Sequence, residues 1–293
     1  MRYRIVHKTQ YLSQESVSVG HNEAWLTPRN TPTQTRRSHR IEITPPPSVK
    51  LDRTDYFQNT TTQFAFNQGY DTLTVTAISV VELLTAVPSD IPVPAWESVR
   101  DAVQAHDTEL DFIALEFTFD SPRCRVSAEF AEYAASSFPE GEPIRDAIAD
   151  LMKRFHSDFH YDPTATTVST PVEQVFRIRR GVCQDFAHLL ISMLRSMGLP
   201  ARYVSGYLRT LPPPGKPRLV GADASHAWVS VYCGELGWID LDPTNNQFPS
   251  TAHITIAWGR DYMDVAPLKG VYVGGGISPR MVVSVDVCET TET

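Results

Sequence analysis

The sequence holds only four cysteines, Cys124, Cys183, Cys233 and Cys288, in 293 residues. That is too few for a disulfide scaffold, and no CxxC pair offers zinc-ribbon spacing. A basic excess is lacking too: 26 Lys+Arg stand against 34 Asp+Glu, a formal net charge of −8. This argues against a chain-wide surface for nucleic acid or anionic membrane, and neither is expected as a partner. No segment approaches the roughly 20 apolar residues of a membrane span, and Met1-Arg-Tyr-Arg-Ile-Val has no apolar leader core. A soluble, cytoplasmic protein with free thiols is the expectation. Glycine is scarcer than proline, 15 against 22, so the loops should be numerous and stiff. Internal repeats and low-complexity tracts are also missing.

What is present suffices for a large core: 42% of residues are hydrophobic and 20% charged. Residues 1–86 alternate polar with apolar, as in Arg40-Ile-Glu-Ile43, Gln63-Phe-Ala-Phe66 and Leu73-Thr-Val-Thr76, with turn signals between. Short strands at this spacing predict an antiparallel β-sandwich. Val87–Pro94 reads as a Pro-rich linker, and 87–142 as that linker plus a helical connection. Helical periods cover Trp96–His106, Ala128–Ser136 and Pro143–Phe159. Thr170-Pro-Val-Glu173 has the form of a capping box opening another helix. A further helix is predicted from Cys183 to Met197, stopped by Gly198. Strands then follow helices, at 202–208, 226–233, 238–241, 254–258 and 281–287. Residues 143–293 are therefore predicted as an α+β domain with an antiparallel sheet.

Chemistry concentrates at Cys183. At about 100° per residue, Phe186, Ala187, Leu190 and Leu194 share its helix face, so the thiol points inward at a helix N-terminus. Unpaired N–H groups and the helix dipole there favour a thiolate. A hairpin around Cys233-Gly-Glu-Leu-Gly237 sets His226 near Asp242, with Asp240 farther along. If that sheet face packs on the helix, nucleophile, base and orienting carboxylate meet. His188 lies about 140° and Asp185 about 200° round from Cys183, so both are expected to face away, toward the surface or in support. His156 and His160 could chelate a metal at i, i+4, but no HExxH glutamate accompanies them, and no metal is expected.

At these residues the chain resembles a family. Gly181-Val-Cys-Gln-Asp-Phe-Ala187, Gly198-Leu-Pro-Ala-Arg-Tyr-Val-Ser-Gly-Tyr207, Ser225-His-Ala-Trp228 and Gly237-Trp-Ile-Asp-Leu-Asp-Pro-Thr-Asn-Asn246 look like the transglutaminase-like superfamily of papain-type thiol enzymes. Gly259-Arg-Asp-Tyr-Met-Asp-Val-Ala-Pro267, Leu26-Thr-Pro-Arg29 and Asp55-Tyr-Phe-Gln-Asn59 are similar to its bacterial branch, whose members are described as cysteine proteases. The resemblance implies Cys183 as nucleophile, His226 as base and Asp242 as orienter. It implies a peptide or protein substrate cleaved at amide bonds and no cofactor; no acidic loop suggests calcium. The Cys183 backbone N–H is a natural oxyanion donor, and Tyr161 matches an aromatic position kept upstream of the family's cysteine. Trp228 and Trp238 could wall the cleft, and Arg209–Ala224 is the candidate flanking loop. Hydrolysis is the leading expectation. Transamidation of protein glutamine is the alternative, and a non-catalytic binding module is another. The sequence leaves the oligomeric state open.

Overall fold

The structure, a computed structural model, describes residues 1–85, 91–210, 224–276 and 280–291. Alternating strands open the chain: β1 (Arg2–Ala24), β2 (Gln34–Thr44), β3 (Val49–Thr54), β4 (Thr60–Phe66) and β5 (Tyr70–Leu83). β4 and β5 follow one another along one edge of β1, from Ala24↔Thr62 through Val17↔Tyr70 to Arg2↔Glu82. The β1–β5 register shifts between Leu12 and Val17, at the β4–β5 junction. Phe64 and Phe66 on one side of this break share a core with Leu73, Val75 and Ala77 on the other. Where two sheets are the sequence expectation, hydrogen bonding joins these strands into one antiparallel sheet folded on itself.

The middle of the chain is largely helical: α1 (Trp96–Ala105), α2 (Glu109–Leu115), α3 (Ala128–Ala135), α4 (Ile144–Asp158), a short β6 (His160–Tyr161), α5 (Val172–Ile178), a short β7 (Arg180–Gly181) and α6 (Cys183–Ser196). The helix α5 forms, but Pro171 occupies its N-cap and Thr170 makes no capping bond. The Thr170 hydroxyl instead accepts from the Thr167 amide at 2.9 Å. Next come β8 (Ala201–Leu208), β9 (Ala224–Tyr232), β10 (Trp238–Leu241), β11 (His253–Gly259) and α7 (Tyr262–Val265). These four strands make an antiparallel sheet in the order β10-β9-β8-β11.

The last two strands, β12 (Leu268–Gly274) and β13 (Arg280–Glu289), return to the first sheet. They run along the other edge of β1, from Ala24↔Leu268 to Tyr3↔Glu289. The chain therefore begins and ends in one seven-stranded sheet, and hydrogen bonding crosses the 143–293 boundary drawn from sequence. Helix α6 sits at the centre of the second core, where Leu189, Leu190, Ile191 and Leu194 are fully buried. At roughly 1.5–3 kcal/mol per such side chain, this burial fixes the helix on the β8–β9 sheet. Among the described residues no helix is long and apolar enough to cross a membrane.

Candidate active site

Helix α6 begins at Cys183 because its N-terminus is closed by its own third residue. The Asp185 carboxylate accepts from the Val182 amide at 2.9 Å and from the Thr166 hydroxyl at 2.6 Å. Burial raises the Asp185 pKa, against the lowering pull of those two bonds. Residue 181 must be glycine here, since a Cβ would lie 2.8 Å from Asp185 Oδ2. β6 and β7 pair in parallel, Tyr161 beside Gly181, so Tyr161 is set next to the strand that leads into Cys183. Burial, with the nearby Cys183 charge, raises the pKa of this exposed tyrosine. Cys183 itself is half-buried at the first helical position, and its thiol is free.

From β9, His226 lines the same cleft as Cys183, and the nearby thiol is among the groups that raise its pKa. Its Nε2 donates to Asp242 Oδ2 at 2.8 Å, which leaves Nδ1 free to exchange a proton. Burial opposes a charge on His226, but its bonds to Asp242 and Cys183 and their negative charge outweigh that, raising its pKa to about 9. Asp242 is fully buried just after β10, held by a bridge to Gln247. His253 Nε2 donates to the same Oδ2 at 3.0 Å, and Asn245 Nδ2 at 2.7 Å. The amides of Thr244 and Asn245 donate to Oδ1 at 3.1 and 3.2 Å. Burial alone would raise the Asp242 pKa; the bonds from His226 and His253 overcome it and hold the carboxyl well below its ordinary range. The ligand atoms of His226, Asp242 and His253 lie within 4.8 Å of one another, close enough to consider a metal. The two histidine–carboxylate bonds already account for that closeness.

Cys183 and His226 open onto one cleft of 310 Å³. Its other walls come from Tyr203 and Ser205 of β8, Tyr262 of α7, and the first sheet, through Thr9, Tyr11, Met281 and Val283. A thiol and an imidazole thus share one accessible cavity, and the imidazole is bonded behind it to a buried carboxylate. This is the order of groups that thiol acyl transfer needs.

The sequence profile of the transglutaminase-like superfamily matches residues 132–243, and that of the bacterial transglutaminase-like N-terminal region matches residues 3–82. The chain belongs to the transglutaminase-like superfamily. An uncharacterised protein of Mycobacterium tuberculosis (strain H37Rv) is 40% identical over 98% of this chain and 92% of its own length. A protein-glutamine gamma-glutamyltransferase of Pseudomonas aeruginosa is 30% identical over 44% of this chain and 23% of its own. The crystal structure of a Cytophaga hutchinsonii protein, provisionally named a cysteine protease, superposes with a TM-score of 0.74. It covers 100% of this chain and 92% of that one at 22% identity, a likeness of fold.

Within this superfamily core, several residues stand elsewhere than the sequence suggests. Helix α6 packs against Ala227, Val229 and Val231, the face of β9 opposite Trp228. His226 shares the cleft with Cys183 from near the strand's start, not from the middle of the packed face. Trp228 is fully buried and donates from Nε1 to Asp240 at 3.0 Å, so it does not wall the thiol cleft. Trp238 is also absent from that cleft and stacks on the Arg202 guanidinium, 4.0 Å away. Neither His188 nor Asp185 reaches the surface: both are only 3% exposed. His188 Nε2 accepts from the Tyr262 amide at 3.1 Å, and burial lowers its pKa to about 3. The surface alternative fails because α6 is enclosed on every side, and Asp185 takes the supporting one at the N-terminus. His156 and His160 are exposed, and no group of three candidate ligands among the described residues includes them. Most of the Arg209–Ala224 loop, residues 211–223, lies outside the described residues.

Sequence reasoning missed His253 and the contribution of the first sheet to the cleft. His253 carries no motif; only the β11–β8 register, His253↔Leu208, places it. The Leu26–Arg29 and Asp55–Asn59 segments had a signal but no assigned role. Arg29 lies 3.5 Å over the Trp258 ring, and its Nη1 donates to Phe57 O and to Asn59 Oδ1. Asn59 in turn accepts from the Trp258 amide at 3.0 Å. These residues fasten the first sheet to β11, and so set the far wall of the cleft.

Proposed function

We propose that the protein is a cysteine amidohydrolase, a peptidase that cleaves amide bonds through Cys183, His226 and Asp242. His226, bonded to Asp242 and facing the same cleft as Cys183, supports this reading most directly. The Cys183 proton passes to His226, and the sulfur attacks the substrate carbonyl. The Cys183 amide supplies one hydrogen bond to the developing oxyanion, and the Tyr161 hydroxyl is the candidate for a second. As the C–N bond breaks, His226 returns its proton to the leaving amine and a thioester remains. Water, deprotonated by His226, attacks the thioester; the acid departs and the proton returns to sulfur. Asp242 stays a carboxylate throughout and holds the imidazole in one tautomer. Cys124, Cys183 and Cys233 are free thiols, which suits a reducing compartment such as the cytoplasm.

A second reading, transfer of a glutamine acyl group to an amine, is favoured by the likeness to the Pseudomonas aeruginosa gamma-glutamyltransferase. It differs only in which nucleophile resolves the thioester. The test is mass spectrometry of a denatured-proteome peptide library treated with wild type or Cys183→Ala, with and without a primary amine. New carboxyl termini that need Cys183 support hydrolysis. Amine incorporated at glutamine without new termini supports transfer, and no Cys183-dependent product would sink both.

A further inference from the structure

We propose that the sheet formed by the two ends of the chain is the specificity wall of the cleft, selecting acyl donors with an uncharged, apolar side chain beside the reacting carbonyl. This rests on the thiol reading above. In β13 the odd-numbered face is buried at Val285 and Val287, where it packs on the second core. The same face emerges into the cleft at Val283 and Met281, which are 44% and 57% exposed. Their cross-strand partners in β1 are Thr9 and Tyr11. Met281 and Val283, with half-buried Tyr11 beside them and Thr9 buried beneath, make one contiguous patch that opens into the cavity holding Cys183. An exposed apolar patch in this position calls for an occupant. Being continuous with the thiol, it is suited to the substrate segment next to the reacting bond.

Away from Cys183 and His226, the described lining is also uncharged. Among the described residues bordering the cleft there is no Asp, Glu, Lys or Arg. His7 is the one titratable imidazole there besides His226. It is buried against Tyr207 at 2.7 Å and Thr9 at 3.0 Å, and burial lowers its pKa to about 4, so it is neutral near pH 7. A charged side chain entering beside Met281 and Val283 would lose hydration and meet no Asp, Glu, Lys or Arg among the described lining residues.

The test measures alkylation of Cys183 by N-iodoacetyl amides of Phe, Lys and Glu, each rate divided by that with glutathione. The expected result is at least a tenfold preference for the Phe reagent over both charged ones. Met281→Glu and Val283→Glu, both at half-exposed positions, should erase that preference and make the Lys reagent the fastest. Val282→Glu, on the opposite face of the strand, should leave it intact. A wild type without preference, or cleft variants that keep it, would overturn the proposal while plain iodoacetamide still labels Cys183 quickly. If plain iodoacetamide labels Cys183 no faster than glutathione, the thiol reading fails and the wall's role goes with it.

Discussion

His226 and His253 share one hydrogen-bond acceptor, Asp242 Oδ2, at 2.8 and 3.0 Å. Two imidazoles on a single carboxylate oxygen mean that the orienting group is itself oriented. With Nε2 donating, His253 Nδ1 is left to accept from the Ser250 amide at 3.5 Å, which fixes the ring's tautomer. Its ring meets Trp228 edge-on, 5.3 Å between centroids.

His253→Ala should therefore lower kcat about tenfold or more with little change in KM, because the residue supports the base without touching the cleft. Losing a buried donor to a charged group should also cost about 1.5–3 kcal/mol of stability. Steady-state kinetics and urea denaturation measure the two effects. An unchanged kcat would mean that Asp242 needs no second histidine.

The His226–Asp242 bond gives a pH dependence whose sign is fixed. Burial alone would lower the His226 pKa; the Asp242 bond and charge help raise it to about 9. In Asp242→Asn the charge is gone and burial prevails, so the alkaline limb of kcat/KM should move acidward by at least one pH unit. Stability follows the same logic. Because the folded pKa is raised, the contribution is complete below the ordinary value near 6.5 and disappears as pH rises through about 9. Wild type should lose stability over that window, and Asp242→Asn should lose less. Parallel Tm–pH curves for the two proteins would contradict this.

Gly206 on β8 offers a steric test. A Cβ there would strike Ile254 O and the Trp228 ring. Trp228 stands beside His226, with ring centroids 6.1 Å apart. Gly206→Ala should cost about 1–3 kcal/mol or more and reduce activity beyond its effect on the folded fraction. Denaturation combined with activity per folded molecule separates the two.

Arg29→Ala should loosen the first sheet from β11, removing the stack on Trp258 and the bonds to Phe57 and Asn59. The expected loss is about 2 kcal/mol or more, mostly from Asn59 and the desolvated cation–π contact. Substrate affinity should suffer more than kcat, since the sheet forms the cleft's far wall and carries none of the reacting groups. A kcat loss with unchanged KM would argue that the sheet acts on the catalytic groups instead.

How much of this the sequence disclosed follows from the range of the interactions. The helix from Cys183, its stop at Gly198 with φ +77°, and the β9–β10 hairpin are local, so period and turn chemistry were enough. The same hairpin brought His226 and Asp242 together on paper. His253 and the return of β12 and β13 to β1 depend on pairings between distant segments that no local pattern encodes. A surface place for His188 and Asp185 fails because α6 is buried all round, and partners such as the Tyr262 amide and the Thr166 hydroxyl lie far along the chain. As strand aromatics Trp228 and Trp238 are more often core than cleft, and both lie away from the thiol cavity.

The central claim is that Cys183 is a nucleophile activated by His226. Its most direct measurement is the rate of Cys183 alkylation by iodoacetamide near neutral pH, in wild type and in His226→Ala. The account predicts that wild-type Cys183 reacts about tenfold or more faster than a free thiol, and that His226→Ala removes the advantage. A wild-type rate no faster than a free thiol, unchanged by His226→Ala, would contradict it.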